Sequence, residues 1–145
     1  MTKKQKKIML YLKEVKSLIK QRSVKLRVLN KALEDKKKIH NNYQIDLKKI
    51  KTSNTFEFTL YNFFIREIKL TAEIERIEKE IQNRECLIDA LTNEDMKNIF
   101  IIRYIECRTW KEVMAILGMP SSTTFYFHQL GLTELYGLFK QKFKD

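Results

Sequence analysis

Glycine and proline are almost absent from this chain of 145 residues. Residues 1–117 contain neither of them, and the three glycines and the single proline all lie between Gly118 and Gly137. These are the two residues that most disfavour helix interiors, and few alternating β-branched runs compete with helix in this sequence. The composition therefore predicts an all-α protein, and a hydrophobic content of 43% is sufficient for a core.

Cysteine and long apolar runs are also scarce. The two cysteines, Cys86 and Cys107, are far apart and form no CxxC pair, and no signal peptide is recognisable. This usage predicts a cytoplasmic protein in a reducing compartment. No apolar run approaches the ~20 residues that a membrane-spanning helix needs, so we expect no membrane among its partners.

Catalytic and metal-binding patterns are missing as well. The sequence contains no glycine-rich phosphate loop, no HExxH and no cluster of acidic residues. His40 lies in a polar segment, and His128 falls on the inward side of a predicted helix, where a packed core residue is expected rather than a ligand or base. Because two histidines and two cysteines lie far apart, a zinc site is disfavoured. We expect neither an enzyme nor a bound metal or cofactor.

Positive charge is concentrated at the amino end. The net charge is +11, and residues 1–51 carry 17 lysines and arginines against 4 acidic residues. Residues 52–91 carry 5 against 8, and residues 92–145 carry 7 against 6. A basic segment attracts polyanions and supports sequence-independent phosphate contacts. The alternative interpretation is a solvated helix face that aids solubility.

Two segments repeat apolar residues every 3.5 positions, as paired helices of coiled coils do. Each repeat is interrupted by one arginine, Arg22 in the first and Arg84 in the second, which we interpret as snorkelling or register-setting residues. The first repeat comprises Ile8, Leu12, Val15, Ile19, Leu26, Leu29 and Leu33, and the second Leu70, Ile74, Ile77, Ile81, Ile88 and Leu91. This pattern predicts an antiparallel coiled-coil hairpin over residues 1–91 and a second domain over residues 92–145.

The polar segment between the two repeats predicts a loop at about 40–56. It can hold a short helix around Tyr43–Lys51 and a turn at Ser53-Asn54-Thr55. In the resulting antiparallel register, Lys16 faces Glu85 and Lys25 faces Glu73. Such exposed pairs contribute about 0–1 kcal/mol each, so they fix register more than stability. Four cations point away from the pair, and we assign them nonspecific phosphate contacts: Lys13, Lys20, Arg27 and Lys31.

Several apolar residues lie outside this seam, so the pairing of the two helices does not bury them. They are Leu10, Leu18, Val24 and Val28 in the first helix and Phe63, Phe64, Ile65 and Ile68 in the second. An isolated helix pair would expose them, so we expect either the C-terminal domain or a second subunit to bury them. We predict a homodimer.

The C-terminal segment contains the start and stop signals of short helices. Thr92 is expected to cap the first, which runs to about Glu106, and Thr109 forms a capping box with Glu112 for the second. Gly118 is expected to end that second helix in a left-handed conformation. A third helix follows, with Ser121 or Ser122 as its cap. A last amphipathic helix comes after it. The inward positions of these two are Thr124, Phe127, His128 and Gly131, then Leu132, Leu135, Leu138 and Phe139.

The stretch TWKEVMAILGMPSSTTFYFHQLGLTEL, with RYI at Arg103–Ile105 before it, resembles the C-terminal helix-turn-helix of sigma factors. It is more similar still to phage late-gene transcriptional regulators of the ArpU/RinA type, which pair a helical N-terminal region with a sigma-like domain. The N-terminal YLKEVKSL at Tyr11–Leu18 is also similar to the opening of that group. Family members place basic residues where this chain has Ser121, Ser122 and Tyr126. Their usual capping serine is Pro120 here, and their small residue in the second helix is Met114.

The resemblance implies a DNA-binding transcriptional regulator of phage or prophage type that activates late genes, with RNA polymerase as a possible partner. Serine, threonine and glutamine side chains can bond base edges, although arginine on guanine, the commonest specific contact, is missing. We assign DNA contacts to Ser121, Ser122, Thr123, Tyr126, Gln129, Lys111 and Arg108, the last two on phosphates.

Two alternatives stay open. In the first, the chain binds another regulator or RNA polymerase through the coiled coil without reading DNA, and the helix-turn-helix serves as a protein-docking or dimer surface. In the second, it is a packaging protein resembling small terminase subunits, although those place their DNA module first.

Overall fold

A computed structural model describes residues 1–45 and 53–142, with side chains described for 1–41 and 57–142. All regular structure in these ranges is helical, which confirms the predicted all-α class. The helices are α1 Lys3–Ile45, α2 Ser53–Asp89, α3 Glu94–Phe100, a π-helical turn Ile101–Ile105, α4 Trp110–Leu117 and α5 Ser121–Lys142. None of the described helices has a stretch that is both long and apolar enough to cross a lipid bilayer.

The two long helices extend further than the sequence predicted. Because α1 continues to Ile45 and α2 begins at Ser53, the predicted turn at Ser53-Asn54-Thr55 is wrong, and the segment between the helices is shorter than 40–56. Ordinary polar residues cost a helix at most about 0.7 kcal/mol each, and this segment contains no glycine or proline to stop it. Most of the predicted short helix at Tyr43–Lys51 falls outside the described residues.

The chain divides into two compact units. The first contains Met1–Ile19 and Lys79–Asp145, and the second contains Lys20–Glu78. This grouping differs from the boundary predicted between residues 91 and 92, because the start of α1 and the end of α2 share a core with the C-terminal helices.

The first unit has two buried clusters, and the smaller one packs Val113 of α4 against Ile99 and Ile102. The larger one draws on the other helices. Its buried members are Ile8, Leu12, Leu87, Ile88, Leu91, Met96, Phe100, Tyr104, Leu132 and Leu135. The first turns of α1 lie against α5, where Gln5 donates to the Thr133 hydroxyl at 3.1 Å and to the Gln129 carbonyl at 3.2 Å. The Tyr11 and Phe139 rings meet edge to face at 5.0 Å. The predicted apolar repeats therefore supply part of this core.

Arg84 joins α1 to α2 inside the first unit. It is only 3% exposed, so it does not snorkel to the surface. Its Nε donates to the Tyr11 carbonyl of α1 at 2.8 Å, and its guanidinium lies 3.9 Å from the centre of the Tyr11 ring. The remaining donors reach the carboxylates of Glu14 on α1 and Glu80 on α2. Such a set of partners fits the register-setting role.

In the second unit, ion pairs join α1 to α2. Lys25 Nζ lies 2.8 Å from the Glu73 carboxylate, which confirms the predicted pair, and Lys36 Nζ lies 3.2 Å from Glu67. As residue numbers rise along α1 they fall along α2, which is the order of an antiparallel contact.

The apolar seam in the second unit departs from a strict 3.5-residue repeat. Ala32 is 5% exposed, whereas the predicted seam residues Leu26 and Leu33 are 38% and 39% exposed. A straight α-helix has 3.6 residues per turn, so the contact face drifts around it by about 20° per heptad. The apolar side chains of Leu26 and Leu33 are therefore left partly uncovered within one chain.

The C-terminal helices differ from the prediction in two ways, at the start of α3 and around Gly131 of α5. The side chain of Asn93 accepts the Met96 N–H at 3.0 Å and caps α3, while the predicted cap, Thr92, bonds the Glu134 carboxylate. The predicted break between the third and the last helix is also wrong, because α5 is continuous. A Cβ at Gly131 would overlap the Phe100 ring and lie 3.0 Å from Cγ of Met96, so glycine permits close helix packing here.

We expect Gly131→Ala to lower the free energy of unfolding by about 1–3 kcal/mol, the usual cost of overpacking a filled core. Gly137 is the matched control, since it lies in the same helix and a Cβ there meets no heavy atom within 4 Å. Gly137→Ala should instead raise the free energy of unfolding by about 0.5–1 kcal/mol through helix propensity. Urea unfolding monitored by circular dichroism measures both, and changes of the same sign would contradict this account of Gly131.

Candidate nucleic-acid interface

The two ends of α4 carry the signals that the sequence predicted. The Thr109 hydroxyl accepts from the Glu112 N–H at 3.3 Å and donates to the Glu112 carboxylate at 3.1 Å. At the other end Gly118 has φ 61° and ψ 34°, and its N–H donates to the Met114 carbonyl. A residue with a Cβ is strained in this left-handed conformation, so glycine is favoured. The predicted capping box and glycine stop are both confirmed.

Three residues, Gly118 to Pro120, connect α4 to α5. The Pro120 carbonyl accepts from both the N–H and the hydroxyl of Thr124, each at 3.0 Å. Because α5 begins at Ser121, Pro120 occupies the cap position, and the predicted cap by Ser121 or Ser122 is wrong. Both serines lie in the first turn of the helix with exposed side chains.

Aromatic rings from neighbouring elements hold the inner face of α5. The His128 Nε2 lies 2.7 Å from the Tyr104 hydroxyl of the π-helical turn. Its imidazole stacks on Phe100 of α3 at 5.3 Å between ring centres and meets the Trp110 ring of α4 at 4.6 Å. Thr124, His128 and Gly131 are buried and Phe127 is half-buried, as predicted for this face. These contacts fix how α4 presents the first turns of α5.

His128 is held in its neutral form. Burial, followed by the positive charges of Arg103 and Lys13, lowers the pKa of His128 to about 4. Burial also raises the pKa of Tyr104 above its ordinary value, so this residue stays a phenol at neutral pH. The pair is a neutral hydrogen bond inside the core, and His128 is a packing residue, as its inward position predicted.

The outer face of α5 carries the predicted base-contacting residues. Ser121, Ser122, Tyr126 and Gln129 are exposed, and Tyr126 is 61% exposed. Residues 122, 126 and 129 follow helical spacing and share one side of the helix. Thr123 departs from the prediction in part, since it is half-buried. The structure thus places Ser122, Tyr126 and Gln129 on one uncharged, hydrogen-bonding surface, which we call the α5 outer face, and Ser121 is exposed at the start of the same helix.

The two predicted phosphate contacts, Lys111 and Arg108, differ in whether a carboxylate pairs with them. Lys111 on α4 is exposed, and no ion pair involves it in the part of the chain described. Arg108 Nη1 lies 3.1 Å from the Glu112 carboxylate. That Arg108 hydrogen bond, followed by the one from Thr109, holds the pKa of Glu112 below its usual range. Lys111 is therefore the more available cation.

The four cations predicted to contact phosphate are all exposed, but they divide between the units. Lys13 belongs to the first unit together with α4 and α5, whereas Lys20, Arg27 and Lys31 belong to the second. The predicted pair of Lys16 with Glu85 is wrong, because Lys16 instead lines a cavity with Lys13 and Arg103. Sequence reasoning assigned no role to Arg103, although an arginine within an apolar IIRYI segment was a signal for a specific environment.

The described residues contain no recognisable metal site. No group of three or more His, Cys, Asp and Glu side chains there could hold a metal ion. Cys86 is exposed and Cys107 is half-buried, and both are free thiols.

Compared with known protein families, curated proteins and solved structures, the chain gives no match. The resemblance to sigma-like phage regulators stays a prediction based on the residues quoted above.

Proposed function

We propose that this protein is a DNA-binding transcriptional regulator of phage or prophage type, and by resemblance an activator of late genes. In this proposal α4, the Gly118 turn and α5 form a helix-turn-helix unit. The α1–α2 pair forms a coiled-coil hairpin that adds affinity and dimerises. RNA polymerase is a candidate partner through the family resemblance alone.

The observation that carries the proposal is the α5 outer face. It follows a left-handed glycine turn and is presented by a helix packed through Trp110, whose ring contacts His128 and Phe125 of α5. An exposed helix face of serine, glutamine and tyrosine side chains, without any charge, can donate to and accept from base edges in a major groove. The buried residues of the same helix, His128, Gly131 and Leu132 among them, lie on its inner side, and Tyr126 and Gln129 stay exposed in the folded protein.

Affinity must come from elsewhere, because the α5 outer face has no cation. Phosphate neutralisation supplies most nonspecific binding and makes it depend on salt. Lys111 lies in the first turn of α4, and Lys13 lies in the same unit. Lys20, Arg27 and Lys31 add further positive charge along α1. We therefore assign holding of the DNA backbone to α1 and α4, and selection of sequence to α5.

Replacing Lys13, Lys20, Arg27 and Lys31 by glutamine should weaken binding to any duplex. If all four contact phosphates, the slope of log affinity against log salt falls by about 3–4, since each contact contributes ~0.9. Fluorescence anisotropy over a salt series measures this slope. The matched control replaces four exposed cations of the acidic helix α2, Arg66, Lys69, Arg76 and Lys79, with the same change in net charge. Equal slopes for the two variants would contradict the assignment to α1.

A dimer is proposed from a second exposed surface, the α2 outer stripe, which consists of Phe58, Tyr61, Ile65 and Ile68. Their spacing of 3, 4 and 3 residues is that of a coiled-coil seam, and they are 66%, 60%, 44% and 51% exposed. Among the residues described in the second unit, α1 leaves these side chains exposed. A second copy would bury the stripe against an identical one, as symmetric dimers do.

We expect sedimentation equilibrium at micromolar concentration to give the mass of two chains. Ile65→Lys with Ile68→Lys should give the mass of one chain, because two charges would enter the apolar seam. Leu10→Lys, an exposed apolar residue of the first unit, is the control and should leave the mass unchanged. A one-chain mass for the unaltered protein would contradict the dimer. A ring of many copies would favour the packaging alternative instead.

Protein docking is a second candidate function, because apolar side chains border the α5 outer face. Phe125, Leu130 and Ile116 are 40%, 44% and 58% exposed. Such side chains are more typical of the core of a protein interface than of a groove-reading surface. No retention on DNA at low salt, together with capture of purified RNA polymerase that Leu130→Asp abolishes, would favour this function.

A further inference from the structure

A cavity of about 220 Å³ lies in the first unit between α1 and the π-helical turn. Lys13, Lys16, Arg103, Tyr104 and Cys107 line it. Three of these five side chains are cationic, and none of the described lining residues is acidic. Cations repel one another when they converge, so such a cluster is stable mainly where solvent or an anion compensates the charge.

The three cations have no carboxylate partner in the described part of the chain. Within the residues that the structure describes, no ion pair involves Lys13, Lys16 or Arg103, whereas Lys25, Lys36, Arg84, Lys97 and Arg108 are all paired. Lys13 and Lys16 are three residues apart on α1 and therefore lie on the same side of that helix. Their ammonium groups are free to turn toward a ligand.

Arg103 is held in place independently of any ligand. Its Nη1 donates to the Arg108 carbonyl at 2.9 Å, and its guanidinium lies 4.8 Å from the centre of the Trp110 ring. Cys107, the only non-glycine residue with positive φ among those described, has φ 57° and lies two residues after the π-helical turn. A guanidinium fixed by one bond and one ring keeps other donors available in a planar fork, which suits an oxyanion.

Two of these cations act electrostatically on a residue in the core. Arg103 and Lys13 both lower the pKa of the buried His128, after the larger effect of burial. Both charges therefore act on the same buried residue, and both residues line the cavity.

We propose that this cavity binds a phosphate group, with Lys13, Lys16 and Arg103 as its ligands. A volume of about 220 Å³ is below the ~300–1,000 Å³ typical of pockets for drug-sized ligands, so it suits a phosphate or diphosphate rather than a whole nucleotide. The bound phosphate group can belong to a small phosphate ester or to the backbone of a nucleic acid. The site itself does not depend on α5 reading bases.

Isothermal titration calorimetry of the full chain with sodium pyrophosphate, at fixed ionic strength, tests the site. We expect saturable binding that Lys16→Gln weakens about tenfold, the loss expected for one charge-assisted contact. Lys16 is exposed, so this change should not disturb folding. Arg103→Gln should weaken binding at least as much. Lys79→Gln, an exposed lysine of the same unit outside the cavity, should change it by less than about twofold.

Anisotropy with a DNA duplex distinguishes the two sources. Pyrophosphate binding that depends on Lys16 supports a small phosphate ligand, even if the chain binds no DNA. No pyrophosphate binding, with a tenfold loss of duplex affinity in Lys16→Gln but not in Lys79→Gln, supports a backbone phosphate. Absence of both effects, or equal effects of the two variants, overturns the site whatever the fate of the proposed function.

Discussion

Arg84→Met is expected to lower the free energy of unfolding by about 3 kcal/mol. Removing one member of a buried ion pair costs about 3–5 kcal/mol, and the lower end applies because the Glu14 and Glu80 carboxylates remain 60% and 44% exposed and can be hydrated. The change also removes hydrogen bonds to the Tyr11 and Glu80 carbonyls and the contact with the Tyr11 ring. Since Arg84 joins α1 to α2, the loss should appear as global destabilisation in urea unfolding.

Arg22 provides the matched control for this prediction. It interrupts the apolar repeat of α1 as Arg84 interrupts that of α2, but it is half-buried and has no ion pair among the described residues. Arg22→Met should change the free energy of unfolding by less than about 0.5 kcal/mol, as for a surface substitution. Arg84→Lys should fall between the two, because an ammonium keeps the charge and loses the planar fork. Equal effects of Arg22→Met and Arg84→Met would show that Arg84 does not join the helices.

Acid is expected to destabilise the protein through His128, by up to about 3 kcal/mol. The pKa of His128 is about 4 in the folded chain and 6.5 as the ordinary value, so the unfolded chain binds the additional proton first as pH falls. The free energy of unfolding therefore decreases as the pH falls from 6.5 to 4. Below pH 4 the contribution of His128 does not change further. The magnitude follows from a difference of about 2.5 pH units at ~1.4 kcal/mol each.

His128→Gln isolates this contribution, since glutamine keeps a hydrogen-bonding group near Tyr104 and does not titrate. Other groups also respond to acid: hydrogen bonds hold the pKa values of Glu73 and Glu112 below normal, and both proteins share that loss. Urea unfolding at pH 7 and pH 4 should show a larger decrease for the unaltered chain than for the variant, by about 2–3 kcal/mol. Equal decreases would mean that His128 is not held neutral.

The signals that could be predicted from sequence are local ones. The Thr109 capping box, the left-handed Gly118 and the inward positions of Thr124 and His128 depend on residues within one or two helical turns of each other. Such patterns are decided by backbone hydrogen bonding and by helical spacing, which one sequence contains. The Lys25–Glu73 pair is a long-range contact that could also be predicted, because a sustained repeat fixes the register between two helices.

The features that were missed depend on packing. Leu26 and Leu33 fit a 3.5-residue repeat, but their burial depends on how far the helix axis twists around its partner. Pro120 displaced the serine caps because the backbone carbonyl of Pro120, rather than a side chain, bonds Thr124. The cavity needs Lys16 and Arg103 together, and 87 positions separate them in the chain. Nothing in the local sequence of either residue indicates the other.

The account depends on the α5 outer face selecting a DNA sequence, and affinity selection from a random duplex library tests this most directly. The unaltered chain should enrich a defined sequence, and Gln129→Ala with Tyr126→Ala should bind that duplex at least about tenfold more weakly, as expected from 1–3 kcal/mol per lost base contact. Binding to an unrelated duplex at low salt should not change. Gln141→Ala, an exposed glutamine near the end of the same helix, is the control and should have no effect. No enriched sequence, or an equal loss on both duplexes, would contradict a base-reading role for α5.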